Sequence, residues 1–374
     1  MSMNNKRVIH NVLIFVPIVL VGIGMIMIWS ASCICAAQKF GDSAYFLKKQ
    51  ALFAVFGIVS MFFVMNKPYR YLGNKKIAYL LWLISLVLLA AVLIPGIGTR
   101  VGGASRWLRL GPVSFQPSEF AKLAVIILLA YSLAKKEQKI KAFSIGLLPH
   151  LVLVLPIVGL VFLQPDFGMA TIFIILLFAL LFVAGVPKLY LASMVIIAAA
   201  GAVPLILYKG AYRVQRLLAF RDPWGNYQGT GYHIVQSFLA FGSGGLWGKG
   251  LVQGTQKLFY LPEPHTDFIL AVIGEEFGFV GVMVIIILFA AILYCGLQVA
   301  LNASDLFGTY LALGIIFLIG VQAIINMGVV MGLMPTKGTT LPFISYGGTS
   351  LVINLVCVGI LVGISDQSDC RVRK

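Results

Sequence analysis

Four titratable side chains lie within twelve residues of each other in a chain that has only twelve acids. They are His265, Asp267 and the adjacent Glu275 and Glu276, at the start of an apolar run. Thr266 or Asp267 could simply cap a helix that begins here, because Thr and Asp are preferred N-cap residues. A carboxylate in this place could also take a proton from an attacking hydroxyl. We therefore keep Asp267, Glu275 and Glu276 as candidate site carboxylates, and take His265 as a hydrogen-bonding residue rather than a base.

A second candidate site is the stretch PSEFAK. Pro117 suits the first position of a helix, which places Glu119 in the first turn, where the helix dipole favours an anion. Lys122 follows three residues later on the same helix face. The two residues could form a structural ion pair at the helix entry. Ionisable residues inside membrane segments usually face a cavity or a partner, so a substrate-binding role is an equal alternative.

Two tight turns add further candidates. In LQPDFG, Asp166 precedes an apolar run, so it is expected to cap that helix, and it could also support reacting groups in an outward cleft. In LPFISYGGTS, Ser345 and the Gly-Gly pair precede the last apolar run. Such a turn can offer backbone N–H groups and a hydroxyl to an anion, or can serve only as a flexible helix entry. Ser345 is kept as a candidate substrate-binding residue.

Positive charge is concentrated in two segments between apolar runs. Residues 96–117 carry three arginines, among them Arg106 and Arg109, and no acid; residues 208–267 carry six basic residues, including Lys257. Arginine binds phosphate oxygens through its planar fork. We assign Arg106, Arg109 and Lys257 to the pyrophosphate of a lipid-linked substrate.

The composition requires these residues to sit on a membrane protein. The chain has 374 residues, 60% hydrophobic and 11% charged, with a mean hydropathy of +0.99, whereas soluble domains average about 25% charged residues. This predicts an all-α integral membrane protein of about ten transmembrane helices, residues 1–374 forming a single polytopic domain, with one long extracytoplasmic loop at 208–267. The spans are predicted near 11–31, 50–66, 77–95, 118–134, 145–163, 168–186, 189–207, 268–300, 306–332 and 349–365.

Charge distribution predicts the orientation. With the amino terminus inside, the inner segments hold fourteen basic residues and the short outer segments hold seven. Cytoplasmic loops retain Lys and Arg, so both termini are expected in the cytoplasm and the net charge of +16 needs no nucleic-acid partner. The five cysteines have no metal-site spacing and are expected to be apolar fillers.

The chain resembles the SEDS family of FtsW, RodA and SpoVE, and the wording of its motifs is closest to the FtsW/SpoVE branch. The resemblance covers about a third of the chain, in order: 102–123, 163–168, 222–251, 256–281 and 334–348. It implies a peptidoglycan glycosyltransferase that polymerises lipid II on the outer face of the bacterial cytoplasmic membrane. Asp267 matches the family's essential carboxylate, Glu119 and Lys122 its cavity pair, and Arg106 its conserved-motif arginine.

The resemblance also implies a mechanism and partners. The acceptor's 4-hydroxyl attacks the donor's anomeric carbon with inversion, and undecaprenyl pyrophosphate leaves. An ordinary aspartate is a weak base near neutrality. Either desolvation or a neighbouring acid must raise its pKa, or a divalent cation (Mg or Mn) must help position the reactants; no organic cofactor is expected. The expected partners are a class B penicillin-binding protein, which is a transpeptidase, and other division or elongation membrane proteins.

Two other functions remain open from the sequence. A lipid II flippase would need the same anionic head-group site but no catalytic base. A non-catalytic scaffold that recruits a transpeptidase would need neither.

Overall fold

The computed structural model describes residues 3–101, 104–111, 113–208, 220–227, 229, 231–257, 261, 264–335 and 338–367. Eleven α-helices and three strands are defined within these ranges. The helices are α1 Met3–Phe40, α2 Tyr45–Met65, α3 Lys75–Leu93, α4 Pro117–Lys136, α5 Leu148–Leu163, α6 Phe167–Val183, α7 Lys188–Tyr208, α8 Tyr232–Gly244, α9 Ile269–Leu301, α10 Leu306–Val330 and α11 Gly348–Gln367. The strands are β1 Gly98–Val101, β2 Ala104–Leu110 and β3 Val113–Phe115, and short 3₁₀ turns lie at Tyr69–Gly73 and Glu137–Lys139 with a π-turn at Phe143–Leu147.

The helices confirm the predicted membrane fold. In the described part of the chain, eight helices are long and apolar enough to cross a bilayer, and two shorter apolar helical stretches begin at Phe167 and Lys188. Each predicted span coincides with one of these ten. They form because a bilayer offers no water to backbone groups, so an apolar segment satisfies its hydrogen bonds internally as a helix.

Three helices form the centre of the bundle. The apolar windows of α4, α10 and α11 are 83%, 78% and 83% buried, against 22% for α2 and α3. The central helices pack on one another, while α2 and α3 present large apolar side chains to the outside. Polar residues placed on α4, α10 or α11 are therefore enclosed by protein.

A small antiparallel sheet, β1–β2–β3, forms in the arginine-rich segment, which the all-helical prediction did not anticipate. Arg109 on β2 pairs with Ser114 on β3. Arg106 lies between the pairs Thr99–Trp107 and Arg100–Ser105, where the β1–β2 register shifts, so it is the extra residue of a β-bulge and the regular alternation of side chains is interrupted there.

Helix α9 is interrupted at Gly278, whose φ of 65° and ψ of −162° are not helical. The loop after α8 packs against this break: Lys249 N donates to Glu275 O at 3.0 Å, Gly250 N donates to Glu276 O at 3.0 Å, and Phe279 N donates to Gly245 O at 2.9 Å. An unwound segment inside a membrane needs such partners, because each unpaired backbone group there costs several kcal/mol. The long loop is thus anchored inside the bundle, at the two glutamates.

Candidate active site

Asp267 lies in a short turn just before α9 and is half-buried. The N-cap of α9 is Phe268, with no side-chain hydrogen bond at the cap. The helix therefore begins one residue later than a cap at Asp267 predicts and two residues later than a cap at Thr266 predicts.

The turn that carries Asp267 is held by a polar residue of α10. The side-chain amide of Asn326 donates to Asp267 O at 2.9 Å and to Thr339 O at 2.6 Å. A Cβ added at Gly338 would lie 3.1 Å from Asp267 Oδ2, so the backbone there closely approaches the carboxylate. Sequence reasoning missed Asn326; the available signal was two amides, Gln322 and Asn326, four residues apart in an apolar span.

Aromatic rings enclose the residue two positions before Asp267. His265 is buried, with its ring centroid 4.5 Å from that of Phe46 and 5.7 Å from that of Tyr346. Tyr346 N also donates to His265 O at 2.9 Å. This bond ties the Asp267 turn to the Gly-rich turn before α11.

Glu119 and Lys122 form an ion pair in the interior of the bundle. Lys122 Nζ lies 2.7 Å from Glu119 Oε2, and both side chains are 1% exposed. Pro117 occupies the start of α4 as predicted. The predicted pairing is therefore present, and burial makes each charge depend on the other.

Arg106 and Asp166 join the sheet to the turn between α5 and α6. Arg106 Nε lies 3.3 Å from Asp166 Oδ2, and Arg106 Nη2 donates to Pro165 O at 2.7 Å. Asp166 caps α6 by accepting from Met169 N at 3.2 Å, as predicted. Burial raises the pKa of Asp166, and the nearby Arg106 guanidinium opposes that rise. The charges of Glu119 and Lys122 also reach Asp166, so the four residues form one electrostatic cluster.

The two adjacent glutamates point to different lysines. Glu275 accepts from Lys249 Nζ at 3.0 Å and from Thr255 N at 2.8 Å. Glu276 pairs with the buried Lys257. The Lys257 ammonium is thereby committed to Glu276 inside the protein, so in this structure it stabilises the loop and does not present a free cation for pyrophosphate.

Ser345 also faces inward. Its hydroxyl is buried and accepts from Leu341 N at 2.8 Å, which closes the turn before α11. Gly347 N donates to Gln50 Oε1 at 3.3 Å, so one N–H of the Gly-Gly pair already has a partner. The flexible helix-entry interpretation describes this turn better than the anion-binding one.

The clusters lie at one end of the bundle. Gln116 N, just before α4, donates to Thr349 Oγ1 at the start of α11, at 3.2 Å. The turn before α11 contacts His265 in turn, so the starts of α4, α9 and α11 meet. The structure thus gathers Asp267 and the start of the Glu119 helix at one end of the bundle. Arg109 is exposed on β2, and in the described part of the chain no ion pair joins it to the Arg106–Asp166 cluster.

The described residues include no group of three or more His, Cys, Asp or Glu side chains arranged to hold a metal ion. A protein-only metal site therefore does not fit this part of the chain. Mg²⁺ is often held by one or two carboxylates together with substrate phosphates. Asp267, at the end of the bundle where these helix starts meet, is compatible with that second arrangement.

Comparison with known proteins gives a consistent result. A family model described as cell cycle protein, covering FtsW, RodA and SpoVE, matches residues 10–369. The probable peptidoglycan glycosyltransferase FtsW of Trichlorobacter lovleyi is 47% identical over 354 residues, which cover 95% of this chain and 92% of the relative. Stage V sporulation protein E of Bacillus subtilis is 43% identical over 356 residues, covering 95% and 96%.

Solved structures agree with these relatives. One chain from a study of how a peptidoglycan synthase complex coordinates polymerization and crosslinking has a TM-score of 0.78 at 30% identity, covering 96% of this chain and 98% of that one. The rod shape determining protein RodA of Thermus thermophilus has a TM-score of 0.70 at 29% identity, covering 96% of both chains. This chain belongs to the FtsW/RodA/SpoVE family of multi-pass membrane proteins.

Proposed function

We propose that this protein is a peptidoglycan glycosyltransferase that polymerises lipid II on the outer face of the bacterial cytoplasmic membrane, in division or sporulation. The observation that carries the proposal is the position of Asp267, which lies in the turn before α9, at the end of the bundle where the starts of α4, α9 and α11 meet. The membership of the family, whose relatives are named peptidoglycan glycosyltransferases, supports the same activity.

In the proposed reaction, Asp267 accepts the proton of the acceptor's 4-hydroxyl. The hydroxyl oxygen attacks the anomeric carbon of the donor as the bond from that carbon to the pyrophosphate oxygen breaks. Undecaprenyl pyrophosphate leaves with the bonding electrons, and the configuration at the anomeric carbon inverts. A positioned general base contributes about 10²–10⁴-fold to such a step.

Arg106 is the best-placed cation for the leaving pyrophosphate. Its side chain is 30% exposed. Its Nε and Nη2 contact Asp166 and Pro165 in the turn between α5 and α6. A guanidinium has five N–H donors, so others can reach a phosphate. Glu119 and Lys122 would line the cavity beside it. Arg109, exposed on β2, would contact the head group as the substrate approaches.

A divalent cation, if used, would be shared between the substrate's pyrophosphate and a carboxylate such as Asp267. Bound there, it would supply charge neutralisation for the leaving group. The protein's own contribution is to hold the Asp267 turn against α10 and the Gly338 backbone.

The membrane orientation and the partner follow from the same proposal. Both termini are in the cytoplasm, which the excess of basic residues in the inner segments supports. The partner is a class B penicillin-binding protein that crosslinks the new strand. The similarity to a chain of a peptidoglycan synthase complex supports this assignment.

The test is a gel assay of polymer from labelled lipid II, with purified protein and Mg²⁺ or Mn²⁺, with and without the cognate transpeptidase. The test variant is Asp267→Asn. Its matched control is Asp42→Asn, which removes an exposed carboxylate from the loop between α1 and α2. We expect polymer from the wild type and from Asp42→Asn. Lipid II that binds and moves across vesicles without forming polymer would favour a flippase. Binding of the transpeptidase alone would favour a scaffold.

A further inference from the structure

Asn326 connects two outer segments from inside α10. It is 1% exposed, and its Nδ2 donates to Asp267 O at 2.9 Å and to Thr339 O at 2.6 Å. An amide NH₂ has two hydrogens at a fixed angle. One side chain therefore sets the separation of two carbonyls that are seventy-two positions apart in the sequence.

The same segment also touches the carboxylate. Gly338 precedes Thr339, and a Cβ at Gly338 would lie 3.1 Å from Asp267 Oδ2. Asn326 therefore constrains Asp267 twice, through the Asp267 carbonyl and through the backbone that borders its carboxylate.

Burial makes these bonds hard to replace. Thr339 is 2% exposed, so water has little access to its carbonyl, whereas the bond to Asp267 O is part-buried. Removing the amide leaves the buried Thr339 carbonyl without this donor, and its segment must move to satisfy it. A displacement of about 1 Å at a reacting group can lower a rate about 100-fold.

We propose that Asn326 is a positioning residue that orients the Asp267 carboxylate toward the acceptor hydroxyl. The inference rests on the proposed function of Asp267 as the base. Asn326 itself does not touch the substrate; it acts through the Asp267 turn and the Gly338–Thr339 backbone.

The test compares Asn326→Leu with Asn354→Leu in full-length protein. Asn354 is also 1% exposed, but its amide bonds only to Ser350, one turn earlier in its own helix. We expect kcat for lipid II polymerisation to fall about 100-fold in Asn326→Leu, while KM and the Kd for fluorescent lipid II stay within about threefold of the control. Asn326→Gln, which keeps both donors, should recover at least about tenfold of that loss.

The proposal is overturned if Asn326→Leu matches Asn354→Leu in kcat, if kcat and binding fall together, or if Asn326→Gln is no faster than Asn326→Leu. Should Asn326→Leu fail to fold, Asn326→Asp and Asn326→Gln decide the matter. Asp replaces the donors with acceptor oxygens, so Asn326→Asp must be slower than Asn326→Gln.

Asp267→Asn is measured in parallel. If it still polymerises, the base assignment fails; if it is inactive while Asn326→Leu matches its control, only the positioning role fails.

Discussion

Replacing Lys122 with Met would leave Glu119 buried without its counter-charge. The two groups are 2.7 Å apart and each side chain is 1% exposed, so neither charge is screened by water. Met keeps most of the volume of the Lys chain, so the substitution tests charge rather than packing. The expected result is a strongly destabilised protein.

The magnitude follows from opposing effects. At an effective dielectric constant of about 20, unit charges at this distance attract by about 6 kcal/mol. Dehydration costs several kcal/mol for each ion and offsets most of that attraction. The intact pair therefore adds little net stability, but removing one partner costs about 3–5 kcal/mol. Replacing both residues, in Glu119→Gln/Lys122→Met, should bring stability back near that of the wild type.

The assay is thermal unfolding of the wild type, both single variants and the double variant in one detergent, with lipid II polymerisation measured on each. A matched control is Lys48→Met, which breaks an equally short pair with Asp42 whose side chains are 70% and 37% exposed. Exposed pairs contribute about 0–1 kcal/mol, so this control should unfold near the wild-type temperature. Additive losses in the double variant, or a Lys122→Met protein as stable as the control, would refute the reasoning.

Three further predictions use the same preparations. Gly278→Ala should lower stability by at least about 1 kcal/mol, because φ is 65° there and a Cβ would overlap the loop packed on the α9 break, whereas Gly22→Ala, with open space around it, should not. Gly338→Ala, by crowding the Asp267 carboxylate, should slow polymerisation about tenfold with lipid II affinity retained; an unchanged rate would contradict the close approach. Burial raises the pKa of Asp166 in the folded protein. Folding therefore favours its protonated form, so its stabilising contribution is present at low pH and is lost as pH rises through the folded-state pKa. In unfolding curves, the wild type should lose stability relative to Asp166→Asn as pH rises.

The helical fold could be predicted because one physical rule dominates it. A bilayer requires about twenty apolar residues per span, and runs of that kind are visible in the sequence without any tertiary information. The sheet at Gly98–Phe115 could not be predicted in the same way. Its strands are only three to seven residues long, and the β1–β2 pairing contains a register shift that no local pattern specifies.

The part of the site that depends on short sequence spacing could also be predicted. Glu119 and Lys122 pair locally along one helix face, and Asp166 caps the helix that follows it, so short spacing was sufficient. Lys257 was assigned to pyrophosphate, but it pairs with Glu276, two residues before the helix break at Gly278, and no local pattern reveals that pairing. The bonds of Asn326 to Asp267 and Thr339 depend on three distant segments meeting. The general-base role of Asp267 comes from the family resemblance and remains a prediction.

The most direct measurement is the single-turnover rate of glycosidic bond formation in Asp267→Asn at saturating lipid II, beside the wild type. Asn keeps the size of the side chain but cannot take up the proton. The account predicts a rate at least about 100-fold lower, with the Kd for lipid II within about threefold. An Asp267→Asn rate close to the wild-type rate would contradict it and would direct attention to Asp166, Glu275 and Glu276.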